Sequence, residues 1–127
     1  MRVYYEDTDL GGVVYHANYL RFMERARTEW LRALGFEQDA LRDKLSIQFV
    51  VVEAKLAFRR PARFNDELTV TAAVREIGRA SILFEQEIRS MRADTEVCTG
   101  EIRVACIDSR GFKPKALPPE LLTELDR

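Results

Sequence analysis

Two aspartates, a glycine pair and the chain's only histidine stand close together near the start of the sequence. They are Asp7, Asp9, Gly11, Gly12 and His16, within the stretch YEDTDLGGVVYHANY. A carboxylate can attack an acyl carbonyl directly or activate a water molecule as a general base. Glycines let the backbone approach a ligand closely, because they lack a Cβ atom. The stretch therefore indicates acyl transfer, and a thioester is a suitable target because its thiolate leaves easily.

Other common catalytic motifs do not occur in the sequence. There is no GxSxG, P-loop, GxGxxG or HExxH pattern, so a nucleophilic serine, a nucleotide cradle and a zinc peptidase lack their minimum parts. His16 falls at the first turn of a predicted helix, whose N–H groups can stabilise an oxyanion. Carboxylates and one imidazole are therefore the groups left to carry chemistry.

A purely structural explanation of the same residues stays open at this point. Asp7 or Asp9 could cap the helix, the glycines could serve a turn, and His16 could be a hydrogen-bonded loop residue. Asn18 could be a cap as readily as a ligand. Glu24 could be an exposed helix acid near an arginine rather than a base. On spacing alone, we favour this structural explanation.

The elements that must position these residues follow from the periodicity of the chain. Residues 2–6 predict a strand leading into the aspartates, and apolar residues at the spacing of one helix face predict a helix over 17–34. The segment EQDALRDK predicts a short second helix. Alternating apolar and polar residues then predict four long strands, at 47–58, 68–77, 82–89 and 96–107. A short helix in PPELLTELDR closes the chain.

This order of elements predicts an α+β fold in a single domain that spans residues 1–127. One long helix can cover only one face of the sheet, so apolar residues on the other face predict dimerisation. Gln86 is the one polar residue on the apolar face of its strand. Cys98 and Cys106 share a predicted strand roughly 26 Å apart, and they are expected to be buried free thiols rather than a disulfide or zinc ligands.

Composition and charge exclude several classes of function. Twenty Lys and Arg stand against 21 Asp and Glu, a formal net charge of -1, so no global field draws the protein onto nucleic acid. No apolar run approaches the ~20 residues of a membrane span. The start MRVYYEDTD lacks the order of a signal peptide, which predicts a cytoplasmic location.

The longer stretch YEDTDLGGVVYHANYLRFMERARTEWLRALGF resembles the acyl-CoA thioesterases of the 4-hydroxybenzoyl-CoA thioesterase type. The similarity is closest to the YbgC subgroup, which is associated with the Tol-Pal system. It continues through PARFNDEL, RASILFEQEI and FKPKALP, and so covers nearly the whole chain. Related chains commonly carry several more residues before RVYY, so either the first strand is short or the start of the chain is misassigned. The specificity of the first motif reverses our preference, in favour of catalysis.

The resemblance implies a hotdog fold, in which a curved antiparallel sheet of about five strands wraps a long central helix. Two protomers would pair their sheets, and such families usually form tetramers with active sites at the dimer interface. Asp9 would be the catalytic carboxylate, as nucleophile or general base. His16 would assist catalysis or position the substrate, and its backbone N–H would be an oxyanion donor. Tyr15 and Asn18 would line the same turn, and Glu24 is a secondary candidate for the acid.

The resemblance also implies an acyl-CoA substrate whose nucleotide is held at the surface by basic and hydroxyl side chains. Arg79 and Ser81 match such positions. Arg59, Arg60 and Arg63 form another basic cluster, which a solvated loop would also explain. No metal or redox cofactor is expected, because coenzyme A is part of the substrate. Acyl carrier protein is a further candidate partner.

Two other functions are considered beside hydrolysis. The first is a module that binds acyl carrier protein or an envelope complex and has little hydrolase activity. The second is a hotdog dehydratase, which the DTD motif disfavours. The sequence leaves open the acyl chain length, an aromatic or aliphatic preference, the carrier of the acyl group, and a dimer or tetramer.

Overall fold

The computed structural model, which describes residues 1–125, contains three α-helices and one five-stranded antiparallel sheet. In chain order the elements are α1 (His16–Ala33), α2 (Gln38–Leu45), β1 (Ile47–Phe58), β2 (Leu68–Val70), β3 (Ala73–Ile77), β4 (Ser81–Ser90), β5 (Thr95–Asp108) and α3 (Pro119–Leu125). The strand order is β1, β5, β4, β2, and β3 also pairs with β4. The predicted α+β class is confirmed. The last two residues of the predicted C-terminal helix lie outside the described residues.

The long helix α1 packs against the sheet and forms the core with it. Trp30 meets Phe84 of β4 edge-on, with ring centroids 5.1 Å apart. Met23 is completely buried and approaches β5 at Gly100, where a Cβ atom would lie only 3.0 Å from the Met23 sulfur. The two cysteines of β5 are buried and free, as expected from their spacing. Burial raises the pKa of the Cys98 thiol to about 11, so this thiol is neutral at ordinary pH.

The predicted first strand over residues 2–6 is wrong. Arg2 makes only an isolated antiparallel bridge with Glu67, and Tyr5–Asp7 is a 3₁₀ turn. The Tyr4 N–H donates to Asp7 Oδ2 at 3.0 Å. Local side-chain bonds of this kind compete with a strand ladder. The chain therefore turns before it reaches Asp9.

The predicted strand over 68–77 is divided into β2 and β3. Between them, the Thr71 carbonyl accepts a hydrogen bond from the Gln86 side chain at 3.2 Å, and Thr71 Oγ1 accepts one from the Glu87 N–H at 3.2 Å. These side-chain bonds coincide with the interruption of the ladder.

Gln86, the polar residue on an apolar strand face, connects α1 to this interruption. It is 2% exposed. Its Nε2 donates to the carbonyls of Met23 and Thr71, at 3.0 and 3.2 Å, and its Oε1 accepts from the Arg27 guanidinium at 2.9 Å. Burial lowers the pKa of Arg27 below its usual value. The Gln86 amide thus provides hydrogen-bond partners for polar groups of α1 and for the Thr71 carbonyl between β2 and β3.

We expect the change Gln86→Leu to lower the free energy of unfolding by about 1–3 kcal/mol, because it leaves buried hydrogen-bonding groups without a partner. Urea denaturation followed by circular dichroism measures this. The control is Gln48→Leu, an exposed position on β1, which should change the stability by less than about 0.5 kcal/mol. Equal stabilities of the two variants would contradict the structural role of Gln86.

The outermost strand, β1, pairs with β5 on one side only within the chain. Three of its large apolar side chains are exposed: Val51 by 50%, Val52 by 57% and Phe58 by 45%. The register with β5 shifts between Val51 and Glu53, which indicates a β-bulge. An edge of this kind presents unpaired backbone groups beside apolar side chains, and another strand can pair with it.

Candidate active site

The aspartate loop, residues 8–14, is a compact turn that precedes α1. An isolated antiparallel bridge joins its two ends. The Asp9 N–H donates to the Val13 carbonyl at 2.9 Å, and the Gly12 N–H donates to the Asp9 carbonyl at 3.1 Å. Gly12 has φ +78°, a left-handed conformation that glycine adopts without steric cost. The backbone therefore fixes Asp9 at the start of a tight turn.

The Asp9 side chain is exposed and oriented by its own loop. Its Oδ1 accepts a hydrogen bond from the Gly11 N–H at 2.8 Å. The residue lines a surface depression together with Tyr5 and Phe64, whose rings lie 5.7 Å apart. A carboxylate that is held through one oxygen and lies beside apolar surface can act on a bound acyl group.

Asp7, the other aspartate of the motif, is structural. It is buried, and its carbonyl accepts hydrogen bonds from the Tyr15 N–H at 3.1 Å and from Asn18 Nδ2 at 2.9 Å. The Asn18 side chain is buried, and its hydrogen bond therefore joins Asp7 to the first turn of the helix. Tyr15 is the N-cap residue of α1 and makes no side-chain capping bond.

A prediction for the loop concerns Gly11, where a Cβ atom would lie 3.2 Å from Asp9 Oδ1. The change Gly11→Ala must displace the carboxylate by a few tenths of an ångström. We expect the kcat of thioester hydrolysis to fall about tenfold, since small misplacements of reacting groups are costly. The control Gly111→Ala has open space around the new methyl group and should keep the wild-type rate. Equal rates for both variants would show that the orientation of Asp9 does not matter.

His16 is the first residue of α1, and its exposed imidazole stacks on Phe58 at the end of β1. The ring centroids are 4.5 Å apart and the interplanar angle is 22°. The N–H groups of a first helical turn have no acceptor within the helix. His16 therefore brings both an imidazole and a backbone donor to the end of the helix that follows the aspartate loop.

The turn at residues 61–66 holds the aspartate loop against α1. The Val14 N–H donates to the Ala62 carbonyl at 2.8 Å, and the Ala62 N–H donates to the Tyr19 hydroxyl oxygen at 3.0 Å. Burial raises the pKa of Tyr19 above its usual value, so the hydroxyl stays neutral. Loop, turn and helix are thus joined by two consecutive hydrogen bonds.

The three arginines predicted as a basic cluster lie at the end of β1 and in this turn. Arg63 forms a backbone bridge with Val13 of the aspartate loop. Arg59 pairs with Glu96, with a nitrogen–oxygen distance of 3.4 Å. All three side chains are exposed, so the cluster offers positive charge beside the loop.

Arg79 and Ser81 lie at the opposite end of the sheet. Phe58 pairs with Cys98 of β5, whereas Ser81 pairs with Ala105, seven residues further along the same strand. At ~3.3 Å per residue this separation is roughly 23 Å. One protomer therefore does not bring Arg79 and Ser81 next to the aspartate loop.

Glu24 also lies away from Asp9. It is exposed, and it stands eight residues after His16 in α1, about 12 Å along the helix axis. Together with Arg27, Trp30 and Phe49 it lines a second cavity, between α1 and the sheet. The depression at Asp9 does not include it.

Sequence reasoning missed the aromatic residues of the site. Tyr5 and Phe64 line the depression, and Phe58 contacts His16. In the sequence, Phe58 is the last residue of the predicted strand 47–58, and Phe64 falls between two predicted strands. An aromatic residue in an otherwise polar turn was the one available signal.

Residues 1–125 show neither a metal site nor a membrane-spanning helix. They contain no group of three or more His, Cys, Asp or Glu side chains that could hold a metal ion. No helix in that range is long and apolar enough to cross a membrane.

The chain has a helix packed on an antiparallel sheet and a loop with a carboxylate at the N-terminus of that helix. This architecture agrees with the protein family that the sequence matches. The pattern of the thioesterase-like superfamily extends over residues 3–125. The chain belongs to this superfamily. A crystal structure of a probable thioesterase from Bartonella henselae has a TM-score of 0.86 at 36% identity, covering 93% of this chain and 95% of that one. The predicted hotdog fold is thereby confirmed.

Within the superfamily, the similarity extends to proteins named YbgC. The chain is 47% identical over 121 residues to the acyl-CoA thioesterase YbgC of Haemophilus influenzae, covering 95% of this chain and 88% of the relative. It is 42% identical over 124 residues to the acyl-CoA thioester hydrolase YbgC of Escherichia coli O157:H7, covering 98% and 91%. The predicted resemblance to YbgC-like acyl-CoA thioesterases is confirmed.

Proposed function

We propose that this protein is an acyl-CoA thioesterase that hydrolyses its substrate with Asp9. The observation that carries the assignment is the exposed Asp9 carboxylate, held through Oδ1 by the Gly11 N–H in a loop that leads into α1. The activity is supported by the relatives, which are named as acyl-CoA thioesterases or thioester hydrolases over almost the whole chain.

In the reaction, water adds to the thioester carbonyl and the acyl–sulfur bond breaks. As a general base, Asp9 takes a proton from the attacking water; as a nucleophile, it forms a mixed anhydride that water then hydrolyses. The electron pair of the broken bond leaves with sulfur, and a proton completes the thiol of coenzyme A. The products are a free acid and coenzyme A.

The N-terminus of α1 is suited to stabilise the tetrahedral intermediate. The negative oxygen of the intermediate would accept a hydrogen bond from the His16 backbone N–H. This N–H lies at the end of the helix where the dipole is positive. The imidazole of His16 would contact the substrate beside the same carbonyl. Tyr15 is exposed at the same corner and contributes surface to the entry of the site.

We also propose that a complete site needs two subunits. If two copies pair their β1 edges in an antiparallel manner about a two-fold axis, the start of one strand faces the end of the other. The turn between β3 and β4 of one subunit then lies at the same end of the paired strands as the aspartate loop of its partner. Arg79 and Ser81 would hold the coenzyme A phosphates across this interface, and Arg59, Arg60 and Arg63 would hold them within the subunit.

The test is release of thiol from a panel of acyl-CoA thioesters with short aliphatic, long aliphatic and aromatic acyl groups. Turnover above the buffer rate, with equal amounts of acid and thiol, is the expected result, and the best substrate gives the chain-length class. No turnover of any thioester in the panel, together with tight binding of an acyl carrier protein, would instead support a binding module without hydrolase activity.

Several features of the proposal come from the resemblance or from the composition of the chain. A homotetramer, a cytoplasmic location, association with the Tol-Pal system, an interaction with acyl carrier protein and catalysis without a metal or redox cofactor all stay predictions. The formal net charge of -1 provides no general attraction to nucleic acid.

A further inference from the structure

Phe58 has a place in the fold that connects the strand edge to the candidate catalytic histidine. It is the last residue of β1 and pairs with Cys98 of β5, so the sheet ladder fixes its backbone. One neighbour of its ring is the buried Tyr19, 5.6 Å away. Tyr19 is in turn held by the hydrogen bond from the Ala62 N–H. The Phe58 ring is therefore supported by a strand, a helix and a turn.

Another neighbour of this ring is the imidazole of His16, stacked at 4.5 Å and 22°. Among residues 1–125, neither ring nitrogen of His16 makes a hydrogen bond that would fix the imidazole. Its stacking on Phe58 is then the contact that restricts the two side-chain torsions. An exposed imidazole without such a contact samples several rotamers, and only some of them face a bound acyl group.

We propose that Phe58 is a positioning residue, which holds the His16 imidazole in the orientation that serves thioester hydrolysis. The inference rests on the proposed function, because it gives His16 a role in that reaction. Phe58 touches neither the reacting atoms nor water in the reaction, and acts through His16 alone. Because Phe58 belongs to β1, a residue that affects the catalytic rate would lie on the strand that pairs with a second copy.

The kinetic test compares Phe58→Leu with Phe58→Tyr. Loss of the ring should lower kcat about tenfold and change KM less than about twofold, whereas Phe58→Tyr keeps the ring and should retain most of the rate. The control Phe112→Leu removes an exposed ring in a distant turn and should have the wild-type kcat. Phe58→Tyr activity as low as that of Phe58→Leu, with both variants folded, would overturn the proposal.

A double-mutant cycle separates positioning from general structural damage. In a His16→Ala background, Phe58→Leu should lower kcat no further, because the group that it positions is gone. A further tenfold loss in that background would overturn the proposal.

Nuclear magnetic resonance tests the contact without any assay. The chain has a single histidine, so its ring C–H signals are unambiguous. They should show an upfield ring-current shift in the wild type, and nuclear Overhauser contacts to the Phe58 ring. Phe58→Leu should abolish the shift and Phe58→Tyr should keep it. Absence of the shift and contacts in the wild type would overturn the inference even if Phe58→Leu failed to fold. If the wild type shows the ring-current shift but hydrolyses none of the thioesters in the panel, the proposed function is wrong and the contact between Phe58 and His16 still stands.

Discussion

Replacement of Asp9 by asparagine is expected to lower kcat/KM for acyl-CoA hydrolysis about a thousandfold. Asparagine cannot accept a proton from water and is a poor nucleophile, and general-base catalysis alone contributes roughly a hundred- to ten-thousandfold in rate. The amide oxygen can still accept the hydrogen bond that the Gly11 N–H donates to Asp9 Oδ1. The loop should therefore stay folded, and the loss should appear in kcat rather than in stability.

The matched control is Asp43→Asn, an exposed aspartate on α2, which should hydrolyse at the wild-type rate. Thiol release under saturating substrate, with thermal unfolding of each variant, separates chemistry from folding. A folded Asp9→Asn protein that retains more than about a tenth of the activity would remove Asp9 from the catalytic role, since general-base catalysis contributes at least about a hundredfold. Glu24→Gln would then be the next variant to measure.

The second large effect is recovery of activity when two impaired variants are mixed. Arg79→Glu should lower kcat/KM about a hundredfold, because it opposes the phosphates of coenzyme A with a negative charge. Asp9→Asn is inactive for the reason given above. If Arg79 serves the site of the partner subunit, a mixed dimer contains one site in which both residues are intact. An equal mixture should then regain about a quarter of the wild-type activity, because half of the dimers are mixed.

The control mixture combines Asp9→Asn with a chain that carries both changes, and it should regain nothing because no site keeps its carboxylate. Co-expression with two affinity tags and purification through both establishes that mixed dimers are present. An Arg79→Glu variant with the wild-type rate would show that Arg79 takes no part. If that variant is impaired, purified mixed dimers without activity would show that Arg79 acts within its own subunit. Arg79 would then have to reach a ligand along the roughly 23 Å of sheet that separates the turn from Phe58.

The predicted elements that agree with the structure are those with a long periodic pattern. The helix predicted over 17–34 is His16–Ala33, and the strand predicted over 47–58 is Ile47–Phe58. In both elements many residues repeat the same spacing, so one residue that departs from the pattern does not change the type of secondary structure. Over 68–77 the alternation is equally regular, yet the strand breaks at Thr71. At this break the Thr71 carbonyl accepts a hydrogen bond from Gln86, fifteen residues further along the chain, and a local pattern carries no information about such a contact.

The first strand failed as a prediction for a similar reason at shorter range. The β-prone residues 2–6 favour an extended chain, but the Tyr4 N–H binds the Asp7 carboxylate and Tyr5–Asp7 forms a 3₁₀ turn. The same Asp7 was one of two equivalent aspartates in the sequence. Spacing alone does not distinguish them and the resemblance selects Asp9, whereas the structure shows that Asp7 is buried under the start of α1 and Asp9 is exposed.

The sequence by itself determined the fold class, the long helix, the family resemblance and the location of Asp9 and His16 on either side of a glycine turn that leads into a helix. These features depend on residues that are close along the chain, where spacing fixes geometry. Only the tertiary structure decided that the Phe58 ring stacks on the His16 imidazole, that Phe64 and Tyr5 line the depression beside Asp9, and that Arg79 lies far from both. Those relations join residues up to some 60 positions apart, and they exist only because strand pairing and burial of the core bring distant segments together.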